Sequence, residues 1–206
     1  MAVTSRRILI LFAHPAPHKS RVNQRLLDAA KSVEGVTVRQ LYEIYPDFLI
    51  DVREEQRLLE RHDVIVIQHP LYWYSAPSLV KEWMDLVLEH GWAYGTGGTA
   101  LHGRIFAQAV TCGGGMDVYC SAGKNHHTVR EFLLPFEQSA RLCGMDWIAP
   151  FVVFGTSDLK KPEDIEPFAR DYRVWLEALR DGSLDLDSAR NSDCACETPP
   201  NPNPRS

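Results

Sequence analysis

The chain has 206 residues, 45% of them hydrophobic and 24% charged. That supports one globular domain with a real core and argues against disorder. The formal net charge of -5 excludes nucleic acid as the main partner, because neutralising phosphates takes a basic surface.

Residues 8–13 form a continuous apolar run after two arginines. The run is far too short for a secretion signal or a membrane span, and no other stretch approaches one. The chain is therefore expected to be soluble and cytoplasmic. Such a run suits a central strand of a parallel sheet, buried on both faces. A loop with Pro15 and Pro17 follows. Ser20 is a good N-cap, and Val22, Leu26, Leu27 and Ala30 recur at helical spacing up to Gly35. Residues 36–41 alternate as a more exposed second strand. Residues 42–51 have no clean period and read as a surface excursion. Residues 52–61 read as a short charged helix, and 63–68 as the third strand.

Residues 68–77 carry Tyr72, Trp73 and Tyr74 between Pro70 and Pro77. The two prolines make a regular strand or helix through this stretch unfavourable. A helix with Val80, Trp83, Met84, Val87 and Leu88 on one face follows, then a Gly- and Thr-rich loop over 91–103. Residues 104–111 read as the fourth strand, running into Cys112, Gly113, Gly114 and Gly115. Residues 128–143 read as a helix that Pro135 kinks, 147–154 as the fifth strand, and 162–180 as a last helix. Asp, Ser, Asn and Pro dominate after Gly182, so residues 1–181 form the expected domain and 182–206 a flexible tail.

Strict alternation of strand and helix predicts an α/β fold: a doubly wound, five-stranded parallel sheet with helices on both faces. If the strand order is 2-1-3-4-5, the ligand site lies at the carboxyl ends of strands 1, 3 and 4. Three unusual loops meet there, over residues 14–20, 69–77 and 111–115. The first lacks the glycine fingerprint of a dinucleotide fold and the Gly-Lys-Ser/Thr of a P-loop. It still ends at a helix start, which favours a single phosphate; alone it is an ordinary capped helix. The second supplies rings and amides, and the third lets backbone approach a ligand closely. Together they describe a pocket for a flat phosphorylated ring, which a flavin mononucleotide fits.

Metal and hydrolytic chemistry are not indicated. The five cysteines lack paired zinc spacing, and no G-x-S-x-G elbow is present. Cys194 and Cys196 could hold a metal or close a disulfide, but a silent tail is the preferred reading. His126 and His127 are adjacent and do not form an i, i+4 pair.

At these residues the chain resembles the flavodoxin-like NAD(P)H:quinone oxidoreductases, the DT-diaphorase family. Ala13-His14-Pro15, Ser20-Arg21-Val22-Asn23, His69-Pro70-Leu71-Tyr72-Trp73-Tyr74 and Thr111-Cys112-Gly113-Gly114 carry the likeness, with residues 91–95 and 98–103. Within that family it is most similar to the small ancillary proteins of bacterial glutathione-regulated potassium-efflux systems, through residues 41–48 and 147–151. The resemblance spans residues 6 to about 180.

It implies a flavodoxin-like fold, a homodimer, FMN as cofactor with FAD as the alternative, and ping-pong hydride transfer from NAD(P)H to flavin to quinone. It implies that His14, Ser20, Arg21, Val22 and Asn23 line the flavin phosphate and ribityl chain. Leu71, Tyr72, Trp73 and Tyr74 would contact the ribityl and ring, and Thr111, Cys112, Gly113 and Gly114 the ring's polar edge. Family members place a tyrosine and a histidine beside the flavin. Tyr119 matches the first; the histidine position falls on Asn125, with His126 next to it, so Tyr119 is the stronger catalytic candidate. Cys112 stands where threonine is usual. The resemblance also implies a regulatory role at a membrane potassium/proton antiporter, with the chain peripheral at the inner membrane. A regulatory subunit without essential enzymatic activity is the competing reading. An electron-transfer flavodoxin would be expected to carry a more acidic surface.

Overall fold

The computed structural model describes residues 5–195 of the chain. Strands β1 (Ile8–Phe12), β2 (Val36–Gln40), β3 (Val64–Pro70) and β4 (Ile105–Thr111) form a parallel sheet with the short strands β5 (Asp146–Trp147) and β6 (Phe151–Val153). The order is β2-β1-β3-β4-β5, with β6 also on β4. This is the expected 2-1-3-4-5 order of a doubly wound sheet.

Both faces are covered, and the alternation of each strand decides which residue meets which helix. Ile8, Ile10, Val64 and Val66 pack with Leu26, Ala30, Tyr172 and Trp175. Those four come from α1 (Arg21–Lys31) and α7 (Pro162–Asp181). Leu9, Leu11, Ile65 and Ile67 pack with Leu59, Leu79, Val80, Trp83 and Phe136. These come from α3 (Val52–Glu60), α4 (Ser78–Val87) and α6 (Leu134–Leu142). All residues of β1 and β3 are buried, which is why β1 and the first four residues of β3 read as unbroken apolar runs.

Several boundaries differ from expectation, each for a local reason. The surface excursion opens with a one-turn helix, α2 (Leu41–Ile44), directly after β2. Strand β3 runs two residues further, through Pro70, which pairs with Thr111. A proline is tolerated at a strand's last position because little ladder follows it. The helix expected over 128–143 is two helices, α5 (Val129–Phe132) and α6, meeting at Leu133. Pro135, in the first turn of α6, has no N–H to extend the earlier helix. The fifth strand is split, because Ala149 N–H turns away to donate to Ala189 O at 2.8 Å and Pro150 has no N–H.

The expectation of a flexible tail from residue 182 is corrected up to residue 195. Helix α8 (Leu186–Asn191) packs Ala189 into the core, and Leu184 and Cys194 are buried. Arg190 grips Asp146 through two bonds of 3.0 and 2.6 Å, and Ala195 N–H donates to Pro150 O at 2.8 Å. Composition misled because only a few apolar residues are needed to dock one turn of helix. Cys194 is disulfide-bonded; Cys196 lies outside the described residues.

Candidate functional site

The carboxyl ends of β1, β3 and β4 open onto a cavity of about 220 Å³. All three loops singled out in the sequence line it: His14, Ser20, Arg21, Val22 and Asn23 from the first, Leu71 and Tyr72 from the second, Thr111 and Gly113 from the third.

The first loop tightens through a single 3-10 turn, Pro17–Lys19, before α1 begins. Ser20 occupies the N-cap position, but its side chain makes no cap hydrogen bond, and the first turn holds no acidic residue. The helix start is thus left with free N–H groups, a free hydroxyl and the positive end of the dipole facing the cavity. An end left open in this way can hold an anion. Val22 is buried in the core, so it can serve a ligand only through its backbone. Asn23 donates Nδ2–H to Thr111 Oγ1 at 2.6 Å, while its buried Oδ1 has no partner among the described residues. A ligand hydroxyl would satisfy that acceptor. Below it, Gln68 donates to Asn23 O at 2.9 Å and accepts from the Tyr172 hydroxyl at 3.3 Å.

His14 is buried, and burial, helped by the charge of His18, pushes its pKa below the usual value. Ala16 N–H donates to its Nδ1 at 3.1 Å. The proton therefore sits on Nε2, 3.4 Å from the Tyr72 hydroxyl. His14 is a neutral donor at neutral pH.

The second loop is a two-residue turn closed by Tyr72 N–H to Ser75 O at 2.9 Å and Ser75 N–H to Tyr72 O at 3.0 Å. Trp73 and Tyr74 occupy its centre with φ of 49° and 63°. Both are left-handed, a conformation that Asn and Gly normally fill in such turns. Holding bulky residues there costs about 1–2 kcal/mol each. The Trp73 side chain gains no burial in exchange, being 93% exposed. Two unfavourable aromatics directly after the cavity-lining Tyr72 point to binding.

In the third loop Cys112 is completely buried, and burial pushes its thiol up to about 12. It is an inert small residue at neutral pH. A Cβ on Gly114 would stand 2.7 Å from Val118 Cγ2, so the turn needs glycine there. Tyr119 is also pushed up to about 12, by burial first and by its contacts with Cys112 and Tyr74. Its phenol keeps its proton at neutral pH.

His126 is exposed, makes no side-chain hydrogen bond, ion pair or ring contact among the described residues, and has a φ of 60°. Asn125 holds the inward position instead, accepting from the Tyr74 hydroxyl at 3.4 Å. Phe132 is the residue that sequence reading missed. Its ring lies 4.9 Å from Tyr74, 6.4 Å from Tyr119 and 5.7 Å from His127. It reads as one more apolar position of a helix, and only the fold shows that it joins two loops. Thr156, another lining residue, gave no sequence signal.

A family model described as the flavodoxin-like fold matches residues 6–176. The general stress protein 14 of Treponema denticola, solved in complex with FMN, is 43% identical. The match covers 84% of this chain and 99% of that one, with a TM-score of 0.79. A chain named as a thermophilic tryptophan halogenase from Streptomycin violaceusniger is 42% identical over 81% of this chain and 95% of its own, with a TM-score of 0.77. An NADPH-quinone reductase from P. pentosaceus is 29% identical over 82% and 96%, with a TM-score of 0.74.

Proposed function

The chain belongs to the flavodoxin-like fold family, whose model spans residues 6–176, and on that premise we propose that it is an FMN-dependent NAD(P)H:quinone oxidoreductase. The observation that carries this reading is the single cavity onto which an uncapped helix start, an aromatic turn and a glycine turn all open. The residues fit the cofactor: the orphaned Asn23 Oδ1 and the free Ser20 hydroxyl are the partners that a ribityl phosphate needs. The FMN-bound relative and the NADPH-quinone reductase support it.

Bound FMN would supply hydride acceptance and donation. The chain does the rest. Ser20, Arg21 and the first amides of α1 hold the phosphate. Asn23 and Thr111 hold the ribityl hydroxyls. The Trp73 and Tyr74 amides, which have no backbone partner among the described residues, face the ring, with Tyr72 and Leu71 beside them. Gly113 and Gly114 keep the ring's polar edge accessible. Tyr119, protonated, offers a hydrogen bond to negative charge on that edge. The order is ping-pong: NAD(P)H leaves before quinone enters the same space.

The exposed Trp73 supports a homodimer in which a second copy covers the turn. Sedimentation of the wild type against W73A tests it, and a wild-type monomer overturns it. Activation of a potassium/proton antiporter remains a proposal from the resemblance alone; potassium efflux with and without the protein decides it.

The main test is the visible spectrum of the purified protein, followed by release and identification of the flavin and assay of quinone reduction with NADPH and NADH. A colourless protein that takes up neither FMN nor FAD sinks the reading. Released FAD would revise the cofactor.

A further inference from the structure

Tyr119 is carried by a loop whose conformation depends on two residues outside the three expected loops. Asn125 N–H donates to Val118 O at 2.9 Å, which seats its side chain beside Tyr119. The Asn125 carbonyl oxygen accepts from the Tyr74 hydroxyl at 3.4 Å. Asn125 and Cys112 both neighbour the Tyr119 phenol, and Tyr119 packs against the core cluster that holds Cys112. The Tyr74 bond is long for a hydroxyl and an oxygen, so it cannot fix the two phenols alone. Phe132 supplies the packing, with Tyr74 at 4.9 Å and Tyr119 at 6.4 Å in an edge-on arrangement.

We propose that Asn125 and Phe132 are positioning residues, a clamp that joins the Tyr74 turn to the Tyr119 loop and holds the Tyr119 phenol in one place. An amide suits this place because it accepts on one side and donates on the other. A carboxylate would accept from both phenols, and a leucine would do neither. The remaining ionisable neighbours are Cys112, which keeps its proton, and His127, whose ring meets Phe132 edge-on at 5.7 Å and is paired with Glu131 at 3.5 Å. His126 points to solvent. The clamp itself contains no group that titrates near neutrality.

The role in turnover rests on the function proposed above, so the test has two arms. The first uses flavin-free protein with carbon-13-labelled tyrosine, with Y119F and Y74F assigning the ring resonances. N125L, N125D and F132L should each displace the Tyr119 resonance, and unchanged spectra overturn the clamp. N125D is nearly isosteric and keeps the test open if N125L does not fold. The second arm loads FMN. N125L should lower quinone turnover about tenfold, the scale of one lost hydrogen bond, while FMN affinity moves less than about twofold. A displaced resonance with unchanged turnover overturns the positioning role. A wild type that binds no flavin removes the proposed function, and the first arm still decides the clamp.

Discussion

His69 is completely buried between β1 and β4, at the end of β3. Its Nδ1–H donates to Pro70 O at 3.0 Å, and its Nε2 accepts from Gln108 Nε2 at 3.0 Å. Burial depresses its pKa to about 4. The unfolded chain binds the proton near 6.5, so between those values the native state holds fewer protons. Stability is therefore full above about 6.5 and is lost as pH falls towards 4, by roughly 3 kcal/mol. His14, shifted the same way by burial, adds to the slope. Urea unfolding at pH 7 and at pH 4 should show the loss, and H69Q should flatten it. A flat wild-type profile would contradict the assignment. Sequence could not give this: scattered histidines look alike until burial separates His69 from the exposed His126.

The helix α3 looked like a charged surface element, yet Glu55 within it has no exposed surface. Its carboxylate accepts from Arg39 Nε and the Tyr45 hydroxyl, each at 2.8 Å, and from Trp83 Nε1 at 2.9 Å. One side chain thus ties β2, α3 and α4 behind the aromatic turn. E55A leaves Arg39 without its charge partner and should cost about 3–5 kcal/mol in chemical denaturation. The turn at 72–75 predicts the opposite sign. Asn tolerates the left-handed conformation that Trp73 is forced into. W73N should therefore stabilise the fold by about 1 kcal/mol and weaken flavin binding, read by thermal melting and flavin titration. A destabilised W73N would mean that the indole is held by something other than the turn. The prolines and rings of this stretch were legible in sequence as a loop of unusual content. The strain was not, because φ is a product of closure between Tyr72 and Ser75.

The sheet order and the place of the cavity were legible because buried strands announce themselves as apolar runs, and because alternation with helices leaves few topologies. The end of the packed unit was not. Its last piece is held by backbone bonds from Ala149 and Ala195 and by the Arg190–Asp146 pair, none of which has a pattern along the chain. Arg130 joins in, lying 4.8 Å over the Trp147 ring and donating to Arg190 O at 2.8 Å. This segment shields the β5–β6 edge. Ending the chain at Ser183 should lower the melting temperature and promote self-association through that edge. Light scattering alongside melting reads both effects, and an unchanged melting temperature would contradict the packing role.

Cys112 lies in the core just behind the cavity-lining Thr111 and Gly113, with no exposed surface and its proton retained. Alkylating reagents and peroxide attack the thiolate, not the thiol. A thiol buried and protonated in this way is kept from the oxidants that reach a redox site. The site gains the close packing of a sulfur atom without the corrosion that an ionised one would invite.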